Sequence, residues 1–460
     1  MWLRDDLRVS DNPALWAGIE RGGSVVALFV LDEESPSIRP LGGAAKWWLH
    51  ESLRSLEISL SDLGIPLVLR RGPAATVVAD VVTEARATAV FWNRRYGAAE
   101  MAVDAILKTS LRAGGVEVQS FQASVLFEPW TIKTGKGTAY SVFTPFWRAC
   151  RTGGEPRPPL AIPNHAPGHT ARLDSDDLAQ WGMQPTDPDW AAGLRTSWVP
   201  GEREAFARLR KFLSGNLEQY AQGRDFPAGQ HTSRLSPHLR WGELSAHQVW
   251  HEVASIRTGL SPAATQGASK FLTELGWREF SWHVLFHFPA LAESNWRSEF
   301  DEFPWSEAPH EQLRAWQRGR TGIPLVDAGM RELWNTGTMH NRVRMVAASF
   351  LTKNLLIDWR KGEQWFWDTL VDADAASNPL NWQWIAGSGA DAAPYFRIFN
   401  PELQARKFDP HEAYIREHVP EYGSVDYPKP IVDLAESRRE ALAAYRYVIE
   451  QSSYGKDNTA

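Results

Sequence analysis

The chain has 460 residues, 43% hydrophobic and 23% charged, with a formal net charge of −6. Such a length suits two or more domains, and such a charge excludes a protein coated in basic residues, so any polyanion site has to be a local patch. A single cysteine, Cys150, excludes a disulfide framework and an all-cysteine metal or iron–sulfur site, and it suits a reducing, cytoplasmic setting.

Met1–Leu3 reads as the tail of a first strand, short enough that a few preceding residues are expected to be missing. The opening MWLRDDLRVSDNPAL carries charges from Arg4 onward and has no apolar stretch of the kind a secretory leader needs. Apolar β-branched runs follow at Val25–Leu31, Pro66–Leu69, Ala89–Trp92 and Val116–Phe121, and helix-like stretches such as Ala44–Leu63 and Ala98–Ala113 lie between them. That alternation predicts an α/β domain over residues 1–125, built on a parallel, Rossmann-like sheet with crossover helices. No apolar run is long enough to span a bilayer.

Residues 126–200 are expected to be a linker, most clearly in GGEPRPPLAIPNHAPGH. From Gly201 the spacing turns helical. EREAFARLRKFLSGNLEQY, ELSAHQVWHEVASIR and RVRMVAASFLTKNLLIDW repeat apolar residues every three or four positions, which predicts an all-α unit over residues 201–460.

Several segments of this second unit carry chemistry. TSRLSP (Thr232–Pro237) sets hydroxyls before a helical pattern, where they can cap the helix or help hold a phosphate. FLTELGWREFSWH (Phe271–His283) gathers Glu274, Trp277 and Arg278, with Glu274 and Arg278 spaced as an i,i+4 ion pair. An acid, an indole and a guanidinium together also suit a nucleobase. Between Arg331 and Lys361, six cations (Arg331, Arg342, Arg344, Lys353, Arg360, Lys361) face two acids (Glu332, Asp358), the local basic patch that the totals require. SNPLNWQWIAGSGADAAPYFRIFNP (Ser377–Pro401) shows no helical period and reads as loop-rich. Its GSGAD reads as a turn, because no strand precedes it and no Lys-Ser/Thr follows. Trp305, Trp359 and Trp382, taken singly, read as core aromatics.

Taken together, WLRDDLRVSDNPAL, FTPFW, RDFP with TSRLSPHLRWGELS, LGWREF, MHNRVRM, LIDWR, NWQWIAGSGADAAPYFRIFNP and QARKFDP resemble the photolyase/cryptochrome family, in the family's order and over nearly the whole chain. The resemblance implies an antenna-chromophore domain followed by an all-α domain holding a U-shaped FAD. It implies FAD contacts at Tyr220, Thr232, Ser233, Arg234, Leu235, Ser236, Arg278, Arg344, Asp372, Ala373 and Asp374, with Asn378 facing flavin N5. Trp382, Trp359 and Trp305 resemble an outward chain of electron-hopping indoles. Glu274, Trp277, Arg278, Asn341, Arg342, Met345, Trp384 and Gln404 resemble the set that binds damaged DNA. The implied reaction is light-driven: an electron from photoexcited reduced FAD splits a flipped-out cyclobutane pyrimidine dimer and then returns.

Within the family, Asn341 and Met345 stand where animal-type (6-4) photolyases carry histidines, and Asn378 stands where cryptochromes tend to carry Asp or Cys. The short polar tail also favours repair over signalling. A blue-light receptor without repair activity is the alternative, and an FAD protein with another redox role is a third. Thr338 and Phe271 depart from relatives that have Trp there. The antenna pigment is left open between methenyltetrahydrofolate and 8-hydroxydeazaflavin, with Glu100 in WNRRYGAAE as a folate candidate. The expected partner is UV-damaged DNA, with no membrane, no metal and a monomeric state.

Overall fold

The computed structural model describes residues 1–164, 167–169, 173–307, 309–392 and 396–457, with side chains as far as 451. Five strands, β1 (Trp2–Leu3), β2 (Ala27–Leu31), β3 (Leu67–Arg71), β4 (Ala89–Asn93) and β5 (Glu117–Phe121), pair in parallel in the order β3-β2-β1-β4-β5. Helices α1 (Pro13–Glu20), α2 (Gly43–Asp62), α3 (Ala74–Glu84) and α4 (Ala98–Ala113) cross between them. Alternation along β2 explains the layering. Leu28 and Val30 face a core shared with α3 and α4, while Ala27 and Phe29 face one shared with α2. Both faces are covered, as a parallel sheet requires. The chain winds outward from β1 in one direction to β3 and in the other to β5. The strand order therefore reverses between β1 and β4, where such sheets open a crevice at their carboxyl ends.

The stretch expected as a linker holds, among its described residues, two α-helices, one at Ala192–Ser197 near its end and, before it, α5 (Phe143–Thr152). Its Phe143, Phe146, Trp147 and Cys150 are buried in one core with helices of the second unit. That unit comprises α6 (Ala192–Ser197), α7 (Glu202–Lys211), α8 (Leu217–Gly223), α9 (Ser236–Arg240), α10 (Ala246–Ile256), α11 (Pro262–His287) and α12 (His310–Gln317). It continues with α13 (Pro324–Thr336), α14 (Asn341–Ser349), α15 (Trp359–Thr369), α16 (Ser377–Ala386), α17 (Pro401–Phe408), α18 (Ala413–His418) and α19 (Leu434–Asp457). No helix among the described residues is long and apolar enough to cross a membrane.

Two segments differ from their sequence expectation. RVRMVAASFLTKNLLIDW is not one helix: α14 passes into a π turn at Phe350–Asn354, Leu356 takes φ +50°, and Asp358 caps a new helix by accepting from the Arg360 N–H at 2.9 Å. SNPLNWQWIA is a helix rather than a loop. Asp374 Oδ1 accepts from the Ala376 and Ser377 amides (2.8 and 2.5 Å) at its start. Gly387 ends it at φ +92°. Most of α16 is buried, polar Asn378 and Gln383 included, so the apolar period that marks a half-exposed helix is absent. GSGAD is the cap of this helix: the amides of Gly387, Ser388 and Gly389 all donate to the Gln383 carbonyl.

The seam between the units is polar and specific. The buried Arg8 donates to the Gly242 carbonyl at 2.8 Å and to the Asp11 carbonyl at 2.8 Å. Glu202 accepts from the amides of Val9 and Ser10 at 2.8 and 2.9 Å, and Arg240 pairs with Asp5 at 2.7 Å. Gly242 lies at φ +64°, and a Cβ there would stand 2.2 Å from the Asp5 carbonyl oxygen. Both the left-handed backbone and the close approach demand glycine. Gly242→Ala is therefore expected to lower unfolding free energy by on the order of 3 kcal/mol, read from urea denaturation.

Candidate active site

Helix α14 carries two sets of side chains. Arg344 points toward the loop before α16 and pairs with Asp372 at 2.9 Å, while its Nε donates to the Met339 carbonyl at 2.7 Å. Asp372 also accepts from Ser236 Oγ at 2.6 Å, at the first residue of α9. Ser236 therefore serves Asp372 rather than capping α9, whose N-cap is Leu235 with no side-chain bond. The hydroxyls and amides of Thr232 and Ser233 make no protein hydrogen bond among the described residues, and Arg234 beside them takes the left-handed φ of +52°. Free donors, a strained residue and an ion pair together form a cradle suited to a phosphate-bearing group. Tyr220 lies in the adjoining core, edge-on to Phe212 and Phe271, and burial pushes its hydroxyl pKa up. The Thr338 hydroxyl accepts from Arg344 at 3.3 Å, which a Trp there could not do.

The segment from Asp372 to Asn378 forms a wall. Arg240 Nε donates to the Ala373 carbonyl at 2.8 Å, and Asp374 caps α16. Asn378 is buried, and its Nδ2 donates to the backbone oxygen (3.1 Å) and to Oε1 (2.8 Å) of Glu363 on α15. One turn along α16, Trp382 is buried edge-on to Phe366 with centroids 4.9 Å apart. Trp359 is fully buried and donates to Asn295 Oδ1 at 2.9 Å. Trp305 is half-buried, 4.3 Å from the Phe303 ring, and packs against the core containing the other two indoles. Burial thus falls from Trp382 and Trp359 to Trp305.

The other face of α14 leads to a second cluster. Arg342 pairs with Asp225 at 2.9 Å and lies over the Phe408 ring of α17, the helix that carries Gln404. The preceding residue, Arg224, pairs with Glu274 on α11. Two consecutive residues of RDFP therefore staple α11 to α14. Glu274 pairs with Arg224 and Lys270, so the i,i+4 pair with Arg278 does not form. Arg278 donates to the carbonyls of Ser124 (2.7 Å) and Leu239 (3.3 Å) instead. Trp277 stacks on Phe143 at 3.9 Å and 9°. Met345 and Trp384 border the core, the Asn341 amide lies 4.0 Å from Met345 Sδ, and the Arg397 guanidinium lies over Trp384.

The basic patch read between Arg331 and Lys361 is largely neutralised. Glu421, Asp225, Asp372 and Asp358 pair with Arg331, Arg342, Arg344 and Arg360. Three of those acids lie outside the window that was counted. Lys353 is buried, donates to the Ala386 carbonyl, and has its pKa driven down by burial. Lys361 stays exposed.

At the switch point of the sheet is a cavity of about 110 Å³. Trp2 in β1 and Arg4 and Asp5 after it line the cavity, with Asp32 and Arg39 after β2 and Gly97 and Glu100 at α4. The second unit closes it with Arg240, Trp282, Trp367, Asp374 and Ala375. Among the lining residues, Trp2, Trp282 and Arg95 each carry a buried N–H (Nε1, Nε1 and Nε) without a protein acceptor.

Sequence reasoning missed Glu363, Arg39, Arg224 and Asp225. RDFP was visible as a motif, but its partners lie 50 and 117 residues away. It also missed why glycines punctuate the indoles. A Cβ on Gly362 would stand 2.1 Å from the Trp382 ring, and one on Gly276 would stand 2.7 Å from Trp147. Gly362→Ala is expected to displace Trp382 and to cost about 1–3 kcal/mol, seen in urea unfolding and in the near-UV circular dichroism of the indoles.

The family model "DNA photolyase" matches residues 1–164, and "FAD binding domain of DNA photolyase" matches residues 271–426. The deoxyribodipyrimidine photo-lyase of Agrobacterium fabrum is 47% identical over 97% of each chain. Cryptochrome-1 of Arabidopsis thaliana is 36% identical over 98% of this chain and 72% of its own. The crystal structure of a bacterial class III photolyase from Agrobacterium tumefaciens superimposes with a TM-score of 0.92 at 47% identity, covering 98% of this chain and 97% of the other. On these matches and on the fold, the chain belongs to the photolyase/cryptochrome family.

Proposed function

We propose that the protein is a light-dependent DNA lyase that splits cyclobutane pyrimidine dimers. The observation that carries this reading is the double role of α14. Through Arg344 it builds the Asp372–Ser236 cradle, and through Arg342 it joins Asp225, Arg224 and Glu274.

The cradle fits FAD. Thr232 and Ser233 offer unpaired hydroxyls and amides to the phosphates, with Tyr220, Arg234, Leu235 and Ser236 alongside. Asp372, Ala373 and Asp374 line the ribose and ring, with Arg344 behind them and Arg278 bracing α11 from its two carbonyls. When bound in reduced form, FAD supplies the photoexcited electron that opens the cyclobutane ring. The protein's own residues do the rest. Asn378 faces the ring nitrogen. Trp382, Trp359 and Trp305 lead outward from a buried to a half-buried position.

Glu274, Trp277, Asn341, Arg342, Met345, Trp384 and Gln404 form the receiving surface for a dimer that has left the helix. A distorted lesion costs less to flip than stacked bases, and aromatic walls regain roughly 1–3 kcal/mol per base. Arginines contribute phosphate contacts that set position rather than sequence. The crevice at the switch point suits a planar second pigment, methenyltetrahydrofolate or 8-hydroxydeazaflavin. Its orphaned donors, Trp2, Arg95 and Trp282, match heteroatom acceptors, and Glu100 matches an amide.

Illumination of the purified protein, with its flavin reduced, is expected to remove dimers from UV-treated DNA. Intact dimers after blue light, combined with light-dependent partner binding, would point to the receptor alternative. The absorption spectrum before and after denaturation identifies both pigments. Trp382→Phe is expected to slow photoreduction while chemically reduced enzyme still repairs. Asp225→Ala frees Arg342 and is expected to weaken binding of dimer-containing DNA about tenfold, roughly 1.4 kcal/mol, with little change for intact DNA in the same titration.

A further inference from the structure

Asn378 is held in one orientation by the chain alone. Its Nδ2 has two partners, the Glu363 backbone oxygen at 3.1 Å and Glu363 Oε1 at 2.8 Å, and both are acceptors. The NH2 group must lie on that side, so the carbonyl Oδ1 lies on the other. Glu363 is almost wholly buried, and a buried carboxylate needs a counter-charge. Arg39 supplies it from the segment between β2 and α2. Its two terminal nitrogens meet the two carboxylate oxygens at 2.7 and 2.8 Å, a two-pronged pair. The arginine is itself fixed, because its guanidinium lies 4.1 Å over the Trp367 ring, one turn along α15. Around it, Trp367 donates to the Pro40 carbonyl at 2.9 Å, and the Gly43 amide donates to Asp368 at 2.8 Å. A Cβ on Gly42 would stand 2.2 Å from the Trp367 carbonyl, so the backbones are in contact.

We infer that Arg39, from the antenna-side domain, is a positioning residue for the flavin: by gripping both carboxylate oxygens of Glu363 it holds that acceptor on the Nδ2 side of Asn378, whose carbonyl, not its NH2, then lies toward the flavin N5 position. This rests on the reading that Asn378 faces N5. An acceptor there bonds to N5–H, which reduced flavin carries. A donor there would bond to the bare nitrogen of oxidised flavin. Without Arg39 the Glu363 carboxylate loses the anchor on both of its oxygens, is free to turn away from Nδ2, and lets the Asn378 amide turn over. Arg39 and Trp367 also line the crevice at the switch point, so the clamp runs from that crevice to the flavin side without leaving the protein.

The test uses the full-length protein loaded with FAD, with Arg39→Gln, Arg39→Lys and Glu363→Gln variants. Flavin content and melting temperature are measured first. The reduced-to-oxidised ratio of bound flavin is then read spectroscopically against a redox dye. Arg39→Gln and Glu363→Gln are expected to keep FAD but shift the ratio at least tenfold toward oxidised flavin, about 30 mV for the two-electron couple. Arg39→Lys, which keeps the charge but one prong, is expected to shift it less. An unchanged ratio in Arg39→Gln, or an equal shift in Arg39→Lys, overturns the inference. If Arg39→Gln does not fold, an unchanged ratio in Glu363→Gln overturns it. Absence of FAD from the unsubstituted protein would instead sink the functional reading on which it stands.

Discussion

The pairing of Arg344 with Asp372 is the contact around which the helical unit is organised. A half-buried guanidinium and a buried carboxylate meet at 2.9 Å, and the Ser236 hydroxyl completes the carboxylate's shell. Removing one partner of such a pair strands a charge, at a cost of roughly 3–5 kcal/mol when burial is complete. The pair fixes α14, the start of α9 and the loop before α16 at one point. Everything placed on those three elements inherits that position: the unpaired hydroxyls before α9, the Asn378 and Trp382 register on α16, and the outward residues of α14.

A second constraint is steric. Indoles are large and rigid, and the helices that carry them approach one another closely only where a side chain is missing. Gly362 lets α15 lie against Trp382, and Gly276 lets α11 lie against Trp147. The same helices carry Glu363 and Trp277 next to those glycines. Close packing therefore sets where the polar and stacking groups point, and the aromatic excess of this chain is the visible consequence.

Much of the first unit was legible because its signal is local. Each strand from β2 to β5 is a short run containing a valine, and helices cover both faces of the sheet, so alternation alone located β2 to β5, α2 and α4. The second unit was legible in outline and opaque in detail. Helix α16 is buried on most sides and shows no period. The run through α14 is interrupted by a π turn and a left-handed Leu356, neither of which interrupts the apolar spacing. Charges were misread for the same reason. A window of sequence counts Arg331, Arg342 and Arg344 as free, but their acids stand at 421, 225 and 372. Family motifs pointed to Asn378, and they could not show that Glu363 and Arg39 stand behind it.

The wall from Asp372 to Asn378 faces two ways. Asp374 and Ala375 line the crevice at the sheet's switch point, while Asp372 pairs with Arg344 and Asn378 bonds to Glu363 in the helical unit. On the proposed reading a light-collecting pigment and the flavin lie on opposite sides of a few residues. Transfer of excitation between two pigments depends on their separation and relative orientation, so the two units must not swing against each other. The polar seam meets that demand. Arg8, Glu202 and Gly242 tie backbone to side chain across the units, and Arg39 carries the tie onward to Glu363 and Asn378. Directional bonds of this kind resist sliding in a way that an apolar interface of equal area does not. The rigidity of the seam is thus part of the proposed chemistry, because both pigments take their geometry from it.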